Sequence, residues 1–264
     1  MMPQLDELLQ FFRDPGLYYS MGLIGLVVAV SLLERLQLEK ELLLASLRGF
    51  VQLTLVGFVL VWVFSAENFW IIAAVLLAMT LAAGWIARQR GAGIPHVFRI
   101  VSLGLGFSLC LTLSLLLLGG SIEAKAKFLI PLGGMILGNS MNGAGLTLNR
   151  LQAEMSLRRP EILVYLSLGA SARQAMQKIL KEVLRASLIP AIDTMKALGV
   201  IFMPGMMSGL IIAGKSPLVA VRYQLVVMFM LLASAAMTNL IVVLLGYRQF
   251  FTEHHQLKAW GDYA

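Results

Sequence analysis

The chain is punctuated by apolar windows of about twenty residues, and that spacing constrains its fold more than any other feature. A membrane-crossing helix needs ~20 predominantly apolar residues. Windows of that kind run over residues 17–36, 47–64, 69–86, 97–118, 128–148, 195–213 and 218–247. The fifth is rich in Gly and interrupted by Pro131. Of the 264 residues 59% are hydrophobic and only 13% charged, about half the charge of an ordinary soluble domain. Mean hydropathy is +0.83. Too few polar side chains exist to cover such a core in water, so the expected fold is all-α, a polytopic membrane protein of about seven transmembrane helices. Residues 1–264 read as one membrane domain, with no soluble domain and no low-complexity segment.

Charge placement sets the expected orientation. Lys and Arg gather at Arg35, Lys40 and Arg48, at Arg88, Arg90 and Arg99, along the 149–190 segment, and at Arg248 and Lys258. The intervening loops are poorer: none at 65–68, two at 119–127, one at 214–216. Seven spans with the N-terminus outside and the C-terminus cytoplasmic place every rich loop in the cytoplasm, as the positive-inside rule requires. The net charge of +7 then needs no nucleic-acid partner. The first charges, Asp6 and Glu7, stand where a signal peptide would be cationic, so none is expected. Leu5, Leu8, Leu9 and Phe12 recur at helical spacing and predict a short surface helix, with a frayed tail as the alternative. The single cysteine, Cys110, allows no internal disulfide.

Residues 150–190 form the one extended stretch outside the membrane with structure written into it, a cytoplasmic amphipathic segment. Pro160 and Glu161 suit a helix start. Gly169 suits a helix stop, and Ser171 with Gln174 reads as a capping box opening a second helix. Ala175, Met176, Ile179, Leu180, Val183, Leu184 and Leu188 share one face of that helix, and charges fill the rest. The turn Leu168-Gly169-Ala170-Ser171 sits at the tip, free to meet a partner.

That turn resembles the coupling loop of ABC permeases, in which an acid, then L-G-A-S, then a helix docks on the ATPase subunit. Pro190 lies further from Gly169 than in the import permeases. Four further stretches, RGFVQL (48–53), GNSMNG (138–143), PGMMSG (204–209) and AVRYQ (220–224), together with IPAIDTMKALG (189–199), resemble the FetB family of iron-export permeases and their plant relatives linked to aluminium tolerance. The resemblance runs from about Arg48 to Tyr247. It implies a permease subunit in a bacterial inner membrane, paired with a separate ABC ATPase that hydrolyses the ATP, in a complex with two permease copies. It implies Glu161, Leu168, Gly169, Ala170, Ser171 and Gln174 as the coupling residues. No cofactor is expected on this chain. Small residues on the fifth and sixth spans offer a dimer contact.

The candidate substrate path is drawn from polar residues at membrane depth, which usually face a bundle interior or a cavity. Arg48 and Gln52, one turn apart, either anchor and cross-link the second span or wall the path. Asn139, Ser140, Met141 and Asn142 form the densest polar group in any span, lying among glycines that allow either close packing or a break. Met206 and Met207 are soft thioethers, poor ligands for hard iron or aluminium ions and good packing material. Asn239, with Thr238, is a deeper cavity candidate. Asp193 and Lys196 are expected to pair near the coupling segment. Tyr223, Gln224 and Arg222 suit an interfacial anchor.

Hard metal ligands are scarce. His254 and His255 beside Glu253 belong either to a metal site or to a solvated tail, and His96 stands alone. The metal ligands, if any, are unknown from sequence. A complexed metal or a weak transient site suits these residues better than a tight bare-cation site. Two other functions stay open: a transporter of another solute, such as a lipid or sugar conjugate, and a membrane-embedded enzyme, for which no convincing set of base, nucleophile and metal exists. Residues 209–216, GLIIAGKS, match the nucleotide-binding pattern G-x-x-x-x-G-K-[ST]. Pro217 follows at once and no parallel sheet can surround it, so Ser216 and Pro217 are expected to cap and begin a helix instead.

Overall fold

In a computed structural model, residues 15–66 and 68–258 are described, and most of them are helical. The expected surface helix at residues 5–12 lies outside the described residues. The chain divides into two compact units, residues 1–66 and 67–264.

The first unit contains α1 (Pro15–Leu33) and α2 (Glu39–Ala66), which pack on each other. Between them Ser31 accepts from the Leu38 amide and donates to Glu39 Oε1 at 3.0 Å, so the tight corner is satisfied by side chains.

The second unit contains α3 (Phe69–Arg88), α4 (Val97–Leu118), α5 (Ala126–Leu157), α6 (Arg159–Ser167), α7 (Ala172–Ala197), α8 (Gly205–Ile212) and α9 (Pro217–Gly246). Asn68 caps α3, its Oδ1 accepting from the Trp70 amide at 2.9 Å. A single 3-10 turn, Gln89–Gly91, follows α3. Helices α5 and α9 are the spine: α9 packs on α4, α5, α7 and α8, and α3 packs on α4 and α5. The fully buried centre includes Leu105 of α4, Ile136, Leu148 and Leu151 of α5, and Met176 and Ile179 of α7.

Four described helices are long and apolar enough to cross a membrane: Glu39–Phe58, Phe69–Gly91, Val97–Leu118 and Pro217–Phe250. Tyr18–Leu33 is a shorter apolar helix. Helix α5, with 32 residues, is about 48 Å long at ~1.5 Å per residue, so the fifth window sits inside a much longer rod. The sixth window, 195–213, corrects the expectation of a continuous span. The helix that begins at Ala172 runs through Pro190 and stops at Ala197. Gly199 then takes a positive φ of 76°, residues to Pro204 are non-helical, and α8 adds only eight residues, about 12 Å. The sixth apolar window is thus split between the end of α7 and the short α8.

Helix α9 starts where expected, with Ser216 at the cap and Pro217 in the first turn, although the Ser216 side chain makes no capping bond. The described residues close with a small folded-back segment. Phe251 bridges Leu257 and the Phe250 and Phe251 rings are buried. His254 and His255 stand exposed at its tip, His255 at φ 59°.

Candidate functional site

The four consecutive polar residues of α5 cannot face one cavity, because neighbours on a helix point about 100° apart. Asn139 and Asn142 share a face with Gly143 and Leu146, at the i, i+3, i+4 and i+7 positions. These four line a cavity of about 340 Å³, whereas Ser140 and Met141 do not. Ser140 is fully buried, with no partner for its hydroxyl among the described residues. The sequence grouping of 139–142 therefore separates into two that face the space and two that do not.

The other walls come from three elements. Arg90 enters from the turn after α3, Ser187, Pro190 and Ala191 from α7, and Ala235 from α9. Arg90 reaches across α5 because residue 145 is glycine: a Cβ there would stand 2.7 Å from Arg90 Cδ. Asn139 is half-buried and donates from Nδ2 to the Leu231 carbonyl at 3.3 Å. It also lines a neighbouring pocket of about 50 Å³ with Thr194 and Met228.

Asn239 is a clamp behind the cavity wall. Fully buried, it donates from Nδ2 to Ser187 Oγ at 3.2 Å, tying α9 to α7. Its Oδ1 lies against Gly143 and accepts no hydrogen bond among the described residues; a Cβ on Gly143 would stand 2.7 Å from it. One residue earlier, Thr238 donates to Ser108 Oγ at 2.8 Å and ties α9 to α4.

Toward the other end of α5 lies a cavity of about 460 Å³ among α4, α5, α8 and α9. Its walls are apolar, and Lys127, Lys215 and Arg222 stand at it with Tyr223. Met206 lines it and Met207 does not. Arg222 sits over the Tyr223 ring at 5.7 Å and Lys127 over the Phe128 ring at 5.3 Å. Lys215 belongs to GLIIAGKS. That segment continues from α8, and its Lys215 and Gly214 amides close the helix by bonding the Leu210 and Ile211 carbonyls.

The hairpin of α6 and α7 follows the sequence signals closely. Gly169 has φ 87°; its amide bonds the Leu166 carbonyl and the Ala170 amide bonds the Tyr165 carbonyl, a Schellman stop. The Gln174 amide donates to Ser171 Oγ, and Gln174 Oε1 accepts from the Ser171 amide at 2.8 Å, completing the capping box. Leu168 is 79% exposed at the tip, and Leu163, Val164 and Tyr165 are also exposed, while Ile162 anchors α6 inside. Arg158 braces the base, pairing with Glu182 of α7 at 2.5 Å and with Glu154 at 2.8 Å. The Glu182 carboxylate raises the Arg158 guanidinium further above its ordinary range. Arg159 donates to the Lys258 carbonyl at 3.2 Å and holds the C-terminal segment to the hairpin. Glu161 is exposed in the first turn of α6.

Asp193 and Lys196 form the expected pair at 3.0 Å, Asp193 standing three residues beyond the end of the 150–190 segment. They stand about 33 Å along α7 from Ser171. Arg48 and Gln52 are exposed on α2 of the first unit. Among the described residues no group of three or more His, Cys, Asp and Glu could hold a metal ion. The sequence reading did not single out Arg90, Ser187 or the Arg158–Glu182 pair. The only local trace of the first was the glycine spacing at 143 and 145.

A family model described as "Uncharacterised protein family (UPF0014)" matches residues 15–251. The chain is 37% identical over 244 residues to the "probable iron export permease protein FetB" of Escherichia coli (strain K12), covering 92% of this chain and 94% of that protein. It is 37% identical over 242 residues to the UPF0014 membrane protein YjkA of Bacillus subtilis (strain 168), covering 90% and 96%. It is 36% identical over 240 residues to the protein ALUMINUM SENSITIVE 3 of Arabidopsis thaliana, covering 90% and 88%. No solved structure matches it.

Proposed function

The chain belongs to the UPF0014 family, as an integral membrane permease, and from that premise we propose that it is the membrane subunit of an ABC transporter exporting iron or a related metal. A separate ATPase subunit binds and hydrolyses the ATP, and two permease copies form the translocating unit. The observation that carries this reading is the α6–α7 hairpin. Its tip presents an exposed Leu168 between two fully bonded caps, and its base is braced by Arg158 and Ile162. A rigid turn with an apolar tip is what a docking partner needs; a mere connector would not require a double brace.

The proposed orientation puts the hairpin in the cytoplasm. The sixth crossing is then discontinuous, shared by the end of α7 and by α8, and α9 returns the chain to the cytoplasm. Broken helices of this kind line transport sites in other carriers. On this reading GLIIAGKS is no nucleotide site: its Gly-Lys pair ends a helix, whereas a phosphate loop follows a strand and begins one.

The test is reconstitution of the chain with its ATPase in proteoliposomes, followed by ATP-driven metal efflux. Charge reversal at Glu161 should uncouple ATP hydrolysis from efflux while the protein stays in the membrane. Normal coupling in that variant would sink the assignment of the hairpin.

A further inference from the structure

Three pockets follow one another along α5 and α9 of the second unit, and their chemistry is one-sided. The 340 Å³ cavity holds the Arg90 guanidinium with the Asn139 and Asn142 amides. The 50 Å³ pocket shares Asn139 with it. The 460 Å³ cavity begins one helical turn further along α5, at Met135, and has Lys127, Lys215 and Arg222 at its walls. No Asp or Glu lines any of the three. Arg90, Lys127, Lys215 and Arg222 belong to none of the ion pairs among the described residues. Asp193 pairs with Lys196, and Glu123 pairs with Lys125 at 2.6 Å while its charge also reaches Lys127.

Such walls repel a bare cation. Iron and aluminium ions prefer oxygen ligands of the carboxylate and carbonyl type, and the pockets supply amides without a carboxylate. They do suit an anion, since a guanidinium binds carboxylate and phosphate through paired donors and an amide adds a neutral donor. The larger two volumes fall within the ~300–1,000 Å³ of small-ligand sites, more than a naked ion requires.

We infer that the transported species is an oxyanion, a metal held in a carboxylate or phosphate complex, received at Arg90, Asn139 and Asn142 and released past Lys127, Lys215 and Arg222. This rests on the permease reading above and adds the charge of the substrate to it. The Arg90 cavity is the loading site, because Arg90 lies in the loop assigned to the cytoplasm. Lys127 and Lys215 at the far cavity account for two of the three positive charges that the 119–127 and 214–216 loops carry against the positive-inside rule.

The test uses the purified full chain in nanodiscs without any ATPase, so that failure of coupling and failure of this inference are separable. Binding of ferric citrate, inorganic phosphate and ferrous ion alone is measured by calorimetry. Saturable binding of ferric citrate or phosphate is expected, and which of the two binds identifies the oxyanion. Arg90→Gln should weaken that binding at least tenfold, and Arg90→Lys, which keeps the charge but loses the paired donors, should weaken it less, both at an unchanged melting temperature. Tighter binding of ferrous ion than of either oxyanion, or oxyanion binding indifferent to Arg90→Gln, would overturn the inference.

Discussion

Gly169 offers the sharpest test of the hairpin. Its φ of 87° is one that L side chains rarely adopt, and a Cβ there would meet nothing within 4 Å. Replacing it by Ala therefore adds backbone strain and no clash. Left-handed backbone costs an L residue about 1–2 kcal/mol. At the lower value the closed turn loses a factor of about five in population relative to open alternatives. The Schellman bonds from Gly169 and Ala170 open first, and Leu168 loses its fixed aim. Asn tolerates this region better than Ala, so Gly169→Asn should recover part of the loss. Gly120, in the turn after α4, is an internal control: φ is 63° and a Cβ there also meets nothing within 4 Å. Gly169→Ala and Gly120→Ala should lower thermal stability by similar amounts. Only Gly169→Ala should cut ATP-driven efflux per ATP hydrolysed, by up to about fivefold. Equal coupling in the two variants would refute the reasoning, since the strain would then act through general stability alone.

Two further predictions concern side chains that bind elements together. Gly143→Ala drives a methyl into the Asn239 amide and should break its bond to Ser187, lowering stability by about 1–2 kcal/mol in a detergent melt, with no comparable loss for Gly138→Ala, where a Cβ meets nothing within 4 Å. Arg158→Met removes both ion pairs at the base of the hairpin; the side chain is a quarter exposed, so the expected cost is at most about 1 kcal/mol, seen as faster limited proteolysis between α6 and α7.

Local chemistry was legible in the sequence and tertiary chemistry was not. Gly169, the Ser171–Gln174 capping box and the Ser216–Pro217 helix start are written in adjacent letters, and each forms where expected. Six of the seven apolar windows lie on helices, because length and hydropathy largely decide them, and the window at 195–213 is broken at residues 198–204. Proline usually ends or kinks a helix, yet α7, packed on α5 and α9, runs through Pro190. Asn239 meets Ser187 across 52 residues and Arg90 meets Gly145 across the fold, contacts that no periodicity encodes. The polar cluster at 139–142 was visible as composition, but only the helical phase divides it into two cavity residues and two that do not face the cavity.

The same helix joins the docking turn to the cavity, and this sets the role of Pro190. From Ser171 to Ser187 is about 24 Å of uninterrupted α7, stiff enough to carry a push from the tip to the Asn239 clamp. Three residues on, Pro190 lines the cavity and lacks the amide that would bond the Ala186 carbonyl. The rod thus lacks a backbone bond where it meets the cavity, and a tip displaced by a docked partner is expected to bend α7 there. Pro190→Ala restores one backbone bond and removes a penalty of up to ~3 kcal/mol for proline in a helix interior. The variant should melt at a higher temperature and bind ligand at the Arg90 cavity as tightly as before. Its ATP-driven efflux should nevertheless fall, because a straight α7 moves the clamp and the cavity wall together. A more stable variant with full efflux would show that the bend at Pro190 is only a packing solution.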